Sequence, residues 1–271
     1  MLKYFRLVGL ALLLSVGVGS GNTLSAQTAS PSLQAHKLFQ IANVLDLPQG
    51  DAKIPYNCNH AVATPKTQEG QIVRDKLWAV TSEETVGNYT FVSFVGKMEW
   101  LTINVCEVAE SNIAVFQNGH LKFIIYTDPK DDHLIGSLDI VDGGVIRILS
   151  NNRPIAELSI REDTLSFEPV SQVQSFCDGS VLVPNIHGNS ILEARQRLFT
   201  FGFRPQKIND NDPLYGAADL RTLGVTEVES CSPTGMAACQ LNYFSEDDYL
   251  EVYTVGEYDR EVNSYKIFCG S

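Results

Sequence analysis

The chain has 271 residues, 44% of them hydrophobic, and a formal net charge of −12. That acidity argues against nucleic acid and anionic lipid as partners, because both reward clustered Lys and Arg. It permits basic protein partners through electrostatic steering, or it serves solubility alone.

The N-terminus reads as a secretory signal peptide over residues 1–26. Lys3 and Arg6 precede the apolar run LVGLALLLSVGVG, and the small polar stretch SGNTLSAQTAS follows, with Ala26 as the last signal residue. The run is shorter than the roughly 20 apolar residues of a spanning helix. An N-terminal membrane anchor is the alternative. No cysteine lies in this region, so a lipid-anchoring motif is excluded. No later segment is apolar enough to span a bilayer, and the expected location is periplasmic or secreted.

Residues 27–50 form a lead-in. Leu38, Ile41, Ala42 and Leu45 recur at helical spacing, and Pro48 and Gly50 end the run. The spacing predicts a short amphipathic helix, with an extended lead-in as the alternative.

Residues 51–176 read as an antiparallel β domain. Short apolar runs such as YTFVSFVG, IAVFQ, LKFIIYT, VIRILS and TLSFEPV alternate with turn signals. Asn118-Gly119 is the strongest of these, because a type I′ hairpin turn needs positive φ at both central residues. Turns recurring every 8–12 residues or so predict a sandwich or barrel. No internal repeat is visible, which disfavours a propeller. In LKFIIYT, alternation places Leu121, Phe123 and Ile125 on one face and Lys122, Ile124 and Tyr126 on the other. Ile124 implies that the second face is partly covered too, as in a sandwich.

Residues 177–271 change to α+β grammar. Val181–Pro184 is a short strand. Ser190 and Glu193 have the S-x-x-E capping-box form, in which each satisfies an end amide of a helix. Ile191, Ala194, Leu198 and Phe201 share one helical face, and Gly202 stands where a helix commonly stops in the left-handed conformation. A loop with one helical turn follows, then the strands TEVESCS, CQLNYFS, YLEVYTV and VNSYKIFC. The fold class is therefore mainly β with a smaller α+β part.

The chain has six cysteines, an even number behind a signal peptide, which implies disulfides. No C-x-x-C spacing is present, so a zinc ribbon or thioredoxin-type site is disfavoured. The domain order favours Cys58–Cys106, Cys177–Cys269 and Cys231–Cys239. The last would staple two hairpin strands, and the second would tie the ends of the C-terminal domain for about 4.7 kcal/mol in the chain-entropy account.

Val183, Pro184, Ile186, Gly188, Ala194, Leu198, Gly202 and Phe203 resemble the opening half of a PASTA module, the small extracytoplasmic repeat of bacterial penicillin-binding proteins and Ser/Thr kinases. That family opens V-P-x-V-x-G, continues into a helix with Ala and Leu inward, and closes with G-[FW]-x-P/V. VESCSPTG, Val228 to Gly235, loosely resembles the second half. Two cysteines and two extra strands depart from the pattern, and one copy is present. The resemblance, confined to Val183–Pro205, implies a PASTA-like αβ domain in a bacterial exported protein, with cell-wall glycan as the associated ligand class.

Signatures of chemistry are absent: no G-x-S-x-G, H-E-x-x-H, P-loop or dinucleotide fingerprint occurs. The histidines His36, His60, His120, His133 and His187 are scattered. Asp131-Asp132-His133 and the INDNDP stretch (Ile208 to Pro213) lack calcium-loop spacing and read as solvated turns. No catalytic residue, cofactor or metal is expected. Tyr249, Glu251 and Tyr253 share one strand face, where Tyr with an acid could stack on and hydrogen-bond a glycan or protein; Tyr is also simply a good strand former. The favoured function is a non-enzymatic exported binding protein of the cell envelope, taking cell-wall glycan or a basic secreted protein. The alternatives are an inhibitor of a secreted lysozyme or protease, presenting SPTGMAA between Cys231 and Cys239, and a hydrolase with a site between the domains.

Overall fold

A computed structural model describes residues 38–102, 105–128, 135–141, 143–162, 164–208, 217–232, 236–256 and 260–270. The signal segment 1–26, all but the first residue of DPKDDH and most of INDNDP lie outside the described residues.

The N-terminal part is a two-sheet sandwich. Its first sheet contains β1 (Phe39–Ala42), β2 (Ala79–Val86), β3 (Tyr89–Thr102), β4 (Val105–Gln117) and β5 (His120–Thr127), in the order β1-β5-β4-β3-β2. Its second contains β6 (Ser137–Val141), β7 (Val145–Ser150), β8 (Arg153–Arg161) and β9 (Thr164–Glu168), joined in sequence order. All pairs are antiparallel, as the turn chemistry requires. Asn118 and Gly119 take φ 49° and 79° between β4 and β5, and Asn151 and Asn152 take 49° and 65° between β7 and β8. These are the left-handed values of a type I′ hairpin turn.

Phe91, Ile113, Val115 and Ile125 from the first sheet meet Leu138, Ile146, Leu158 and Phe167 from the second in one buried core. The opposite face of the first sheet is also covered. Val80, Val92, Phe94, Ala114 and Ile124 pack there under Leu47 of the lead-in and Val73 of helix α1 (Gln68–Asp75). Thr67 caps α1 by accepting from the Gly70 amide at 3.0 Å, and Glu83 of β2 accepts from the Lys66 and Thr67 amides. This helix is too short and polar to show a helical period in the sequence.

Two expectations for the N-terminal part are corrected. The lead-in residues Phe39–Ala42 form strand β1 rather than a helix, with Phe39 paired to Thr127 and stacked on Phe167 at 5.2 Å. The free edge of β5 supplies backbone partners that a single helical turn lacks. In β5, Leu121 does not share a face with Phe123. A bulge at Lys122 sets Phe116 opposite Leu121 and Val115 opposite Phe123, so Leu121 joins the α1 side with Ile124. One extra residue reverses the alternation on one side of it.

The C-terminal part begins with the hairpin β10 (Val173–Phe176) and β11 (Val181–Pro184), which straddles residue 177. Helix α2 (Ile191–Thr200) follows, with the full Ser190/Glu193 capping box. Strand β12 (Arg204–Pro205), helix α3 (Ala218–Thr222) and strands β13 (Val228–Cys231), β14 (Cys239–Ser245), β15 (Asp248–Val255) and β16 (Glu261–Phe268) complete it. The sheet runs β12-β14-β15-β16, with β13 also on the outer edge of β14. Ile191, Ala194 and Leu198 of α2 pack with Leu220, Leu241, Tyr243, Leu250 and Val252. Phe201 does not join them: the helix ends at Thr200, Phe201 is exposed, and Phe203 fills the core after Gly202 turns the chain at φ 93°.

All six cysteines are bonded, as Cys58–Cys106, Cys177–Cys269 and Cys231–Cys239. These are the pairs that the domain order favoured.

Candidate functional site

The covered side of the C-terminal sheet leaves its other face open. Along β15, Leu250, Val252 and Thr254 are buried while Tyr249, Glu251 and Tyr253 point outward. The expected trio therefore does share one face. Register adds neighbours to each member. Phe244 of β14 and Phe268 of β16 lie opposite Tyr249, with Arg204 of β12 opposite Phe244. Asn242 and Lys266 flank Glu251, and Gln240 and Ser264 flank Tyr253.

One row of this face is aromatic. The Tyr249 and Phe268 rings lie 5.9 Å apart, and Lys266 Nζ sits 4.6 Å over Phe268. Phe244 is 43% exposed and Phe268 39%. The remainder is a polar mesh. Tyr253 Oη donates to Glu251 Oε2 at 2.6 Å, Asn242 Nδ2 to Glu229 Oε2 at 3.1 Å, and Gln240 Nε2 to Asn242 Oδ1 at 3.2 Å. The hydrogen bond to Glu251 pushes the Tyr253 hydroxyl up to about 12, with burial and the carboxylate charge adding to it. Burial, then the charges of Glu251 and Glu229, raises Tyr249. Both phenols stay protonated near pH 7, and the Tyr253 proton is committed to Glu251.

Three rings on adjacent strands span two inter-strand spacings, about 10 Å, the length of a disaccharide. Ring faces of this kind receive the apolar faces of sugars, and nearby carboxylate and amide groups hydrogen-bond hydroxyls. Sequence alternation alone placed Tyr249, Glu251 and Tyr253. Phe244, Phe268, Asn242 and Gln240 follow the same alternation in CQLNYFS and VNSYKIFC, but only strand register brings them to the trio.

A second exposed surface lies on the β3–β4 hairpin of the first sheet. Strand β3 pairs with β2 only as far as Val95, and β4 pairs with β5 only from Asn112 onward. The remaining β3–β4 ribbon extends past both neighbouring strands, with Lys53 bridged to Lys97 and Met98 buried against the 52–62 segment. A two-stranded ribbon is marginal in water, and here Cys58–Cys106 ties it to the short helical turn Tyr56–Ala61. Near its tip Trp100 is 48% and Leu101 57% exposed. The loop SPTGMAA, expected as the inserting element, falls partly outside the described residues.

The junction between the two parts is polar and closed. Arg147 donates to Glu157 Oε1 through Nε at 3.1 Å and Nη2 at 2.6 Å, and to Gln174 Oε1 at 2.6 Å, while Ser171 donates to Glu157 Oε2 at 2.7 Å. Arg147 and Glu157 are buried. The Tyr265 hydroxyl is buried beside the Arg147 guanidinium without a hydrogen bond of ordinary geometry. His187 stacks on Tyr265 at 4.6 Å, and its Nδ1 lies 3.1 Å from the Asn263 carbonyl oxygen. Burial drives this histidine down to about 4, so it is neutral near pH 7. Arg153 pairs with Glu261 at 2.6 Å across the same boundary. Both oxygens of Glu157 are engaged, so these contacts fasten the two parts together.

Cys177, Asp248 and Cys269 come within ligand distance of one another, but a disulfide has no thiolate to offer a metal. Three disulfides indicate an oxidising, extracytoplasmic compartment. No helix among the described residues is long and apolar enough to cross a membrane. Comparison of the chain with known protein families, with curated proteins and with solved structures yields no match.

Proposed function

We propose that this chain is a non-enzymatic binding protein of the bacterial cell envelope, exported through residues 1–26, that holds glycan on the open face of its C-terminal sheet. The observation that carries this reading is the registered row Phe244–Tyr249–Phe268 beside the hydrogen-bonded Glu251–Tyr253 pair. The disulfides agree with the compartment, and the PASTA-like pattern at Val183–Pro205 agrees with a cell-wall setting. The test is retention of the purified protein on isolated peptidoglycan, with Phe244→Ala/Tyr249→Ala alongside. Retention that falls at least about tenfold in the double variant supports the reading, since stacking contributes roughly 0.5–1.5 kcal/mol per ring beyond area burial. Absence of wild-type retention, or equal retention by the variant, overturns it.

The exposed Trp100 and Leu101 of the β3–β4 ribbon favour a second reading, inhibition of a basic secreted enzyme. Trp is the residue type most enriched at interface hot spots, and Glu107 and Glu110 along the ribbon are exposed acids suited to a basic rim. Lysozyme and protease activities unchanged by excess protein would count against it.

A further inference from the structure

The three disulfides differ in the charge set beside them. Asp248 places a carboxylate within 4.8 Å of the Cys177 and Cys269 sulfurs. Cys58 is fully buried, and the Asn57 carbonyl oxygen lies 3.9 Å from Cys106 Sγ. Both surroundings oppose a thiolate. Cys231–Cys239 has the reverse. Arg260, only 6% exposed, donates through Nη1 to Cys239 Sγ, and the same nitrogen is 3.7 Å from Cys231 Sγ. Its Nη2 contacts both Asp219 oxygens at 3.3 Å and 3.0 Å. A neutral disulfide is a weak acceptor for a buried guanidinium, whereas a thiolate is a charge-matched one. A neighbouring cation lowers the thiol pKa and eases the departure of that sulfur in exchange.

The two sulfurs are also unequal. Cys239 is 2% exposed, while Cys231 is half-buried on strand β13, at the outer edge of β14. An incoming thiolate therefore meets Cys231 first.

We propose that Cys231–Cys239 is a thiol–disulfide exchange site for a dithiol. The dithiol's thiolate attacks Cys231 Sγ. The disulfide breaks, and its electron pair leaves on Cys239 Sγ, where Arg260 holds it as a thiolate. The second thiol of the reagent then attacks the mixed disulfide and releases Cys231, which takes a proton from water. The dithiol ends as a disulfide, two electrons poorer, and the protein carries two reduced cysteines. Strand β13 stays paired to β14 and anchored by buried Val228, so the opening is confined to the Cys231–Cys239 end.

The test equilibrates the full folded protein in dithiothreitol buffers of graded reduced-to-oxidised ratio. Acid quench, alkylation and peptide mass spectrometry then identify the opened pair. Cys231 and Cys239 are expected to open at a ratio at least about tenfold lower than the other two pairs. Brief exposure to glutathione places the adduct on Cys231. Arg260→Gln raises the required ratio, and Asp219→Asn, at a side chain 56% exposed, lowers it by removing a carboxylate that competes with the thiolate for Arg260. If Arg260→Gln does not fold, the adduct position and the Asp219→Asn shift decide. Opening of all pairs together, an adduct on Cys239, or an Asp219→Asn shift in the opposite direction overturns the proposal.

Discussion

The sheet of β1 to β5 and the sheet of β12 to β16 are both five-stranded, yet they meet their surroundings differently. The first is buried on both faces: Phe91, Ile113 and Val115 face the second sheet of the sandwich, and Val92, Phe94 and Ala114 face α1 and the lead-in. The other is buried on one, with Leu241, Leu250 and Val252 inward, and it leaves Phe244 and Phe268 in solvent. Their strands are written accordingly. YTFVSFVG is almost continuously apolar, whereas DYLEVYTV alternates. Polar side chains at Phe244, Tyr249 and Phe268 would leave the core below them intact. Rings there serve the surface rather than the fold.

The sharpest way to break this contrast is to truncate one ring on each sheet. Phe94→Ala, in a site 1% exposed, should cost about 3–5 kcal/mol in urea unfolding. Phe244→Ala should stay within about 1 kcal/mol. Equal losses would mean that the C-terminal face is covered after all.

The junction offers the next largest effect. His187 has an ordinary value of 6.5 and is held by burial at about 4 in the fold. The unfolded chain therefore takes up its proton first as pH falls. The contribution is complete above pH 6.5 and is lost progressively towards pH 4, roughly 3 kcal/mol in all. His187→Phe should flatten the unfolding free energy across this window relative to wild type. Parallel curves for the two proteins would remove the histidine from the account.

The smallest effect tests the polar mesh. Glu251→Gln replaces the charged acceptor of the Tyr253 hydroxyl, so the value near 12 should fall toward the ordinary 10.0. Tyrosinate absorbance on alkaline titration would read this. Stability should change by less than about 0.5 kcal/mol, as at other surface positions. An unmoved titration would show that the hydrogen bond is not made in solution.

Much of this architecture was legible because it is local. The Asn-Gly turn, the Ser190/Glu193 box and the Gly202 stop depend on a few adjacent residues, and each stands where the sequence placed it. What was hidden depends on partners. Nothing in FQIA marks it as a strand until the edge of β5 is beside it, and the Lys122 bulge exists only relative to β4. Likewise Tyr249, Glu251 and Tyr253 could be read from period two alone. The Phe244–Tyr249–Phe268 row needed the register of three strands, and the Arg260 contact needed a fold that brings α3 and the end of β13 to one point.

One bond has a mechanical meaning. Cys177 and Cys269, 92 residues apart, close the C-terminal part into a covalent ring. Tension between the chain ends would cross at the sulfurs and bypass every strand from β11 to β16. Under load the sandwich would stretch while the open face kept its shape. A single backbone cut inside the ring would leave one molecule, visible as two pieces only after reduction.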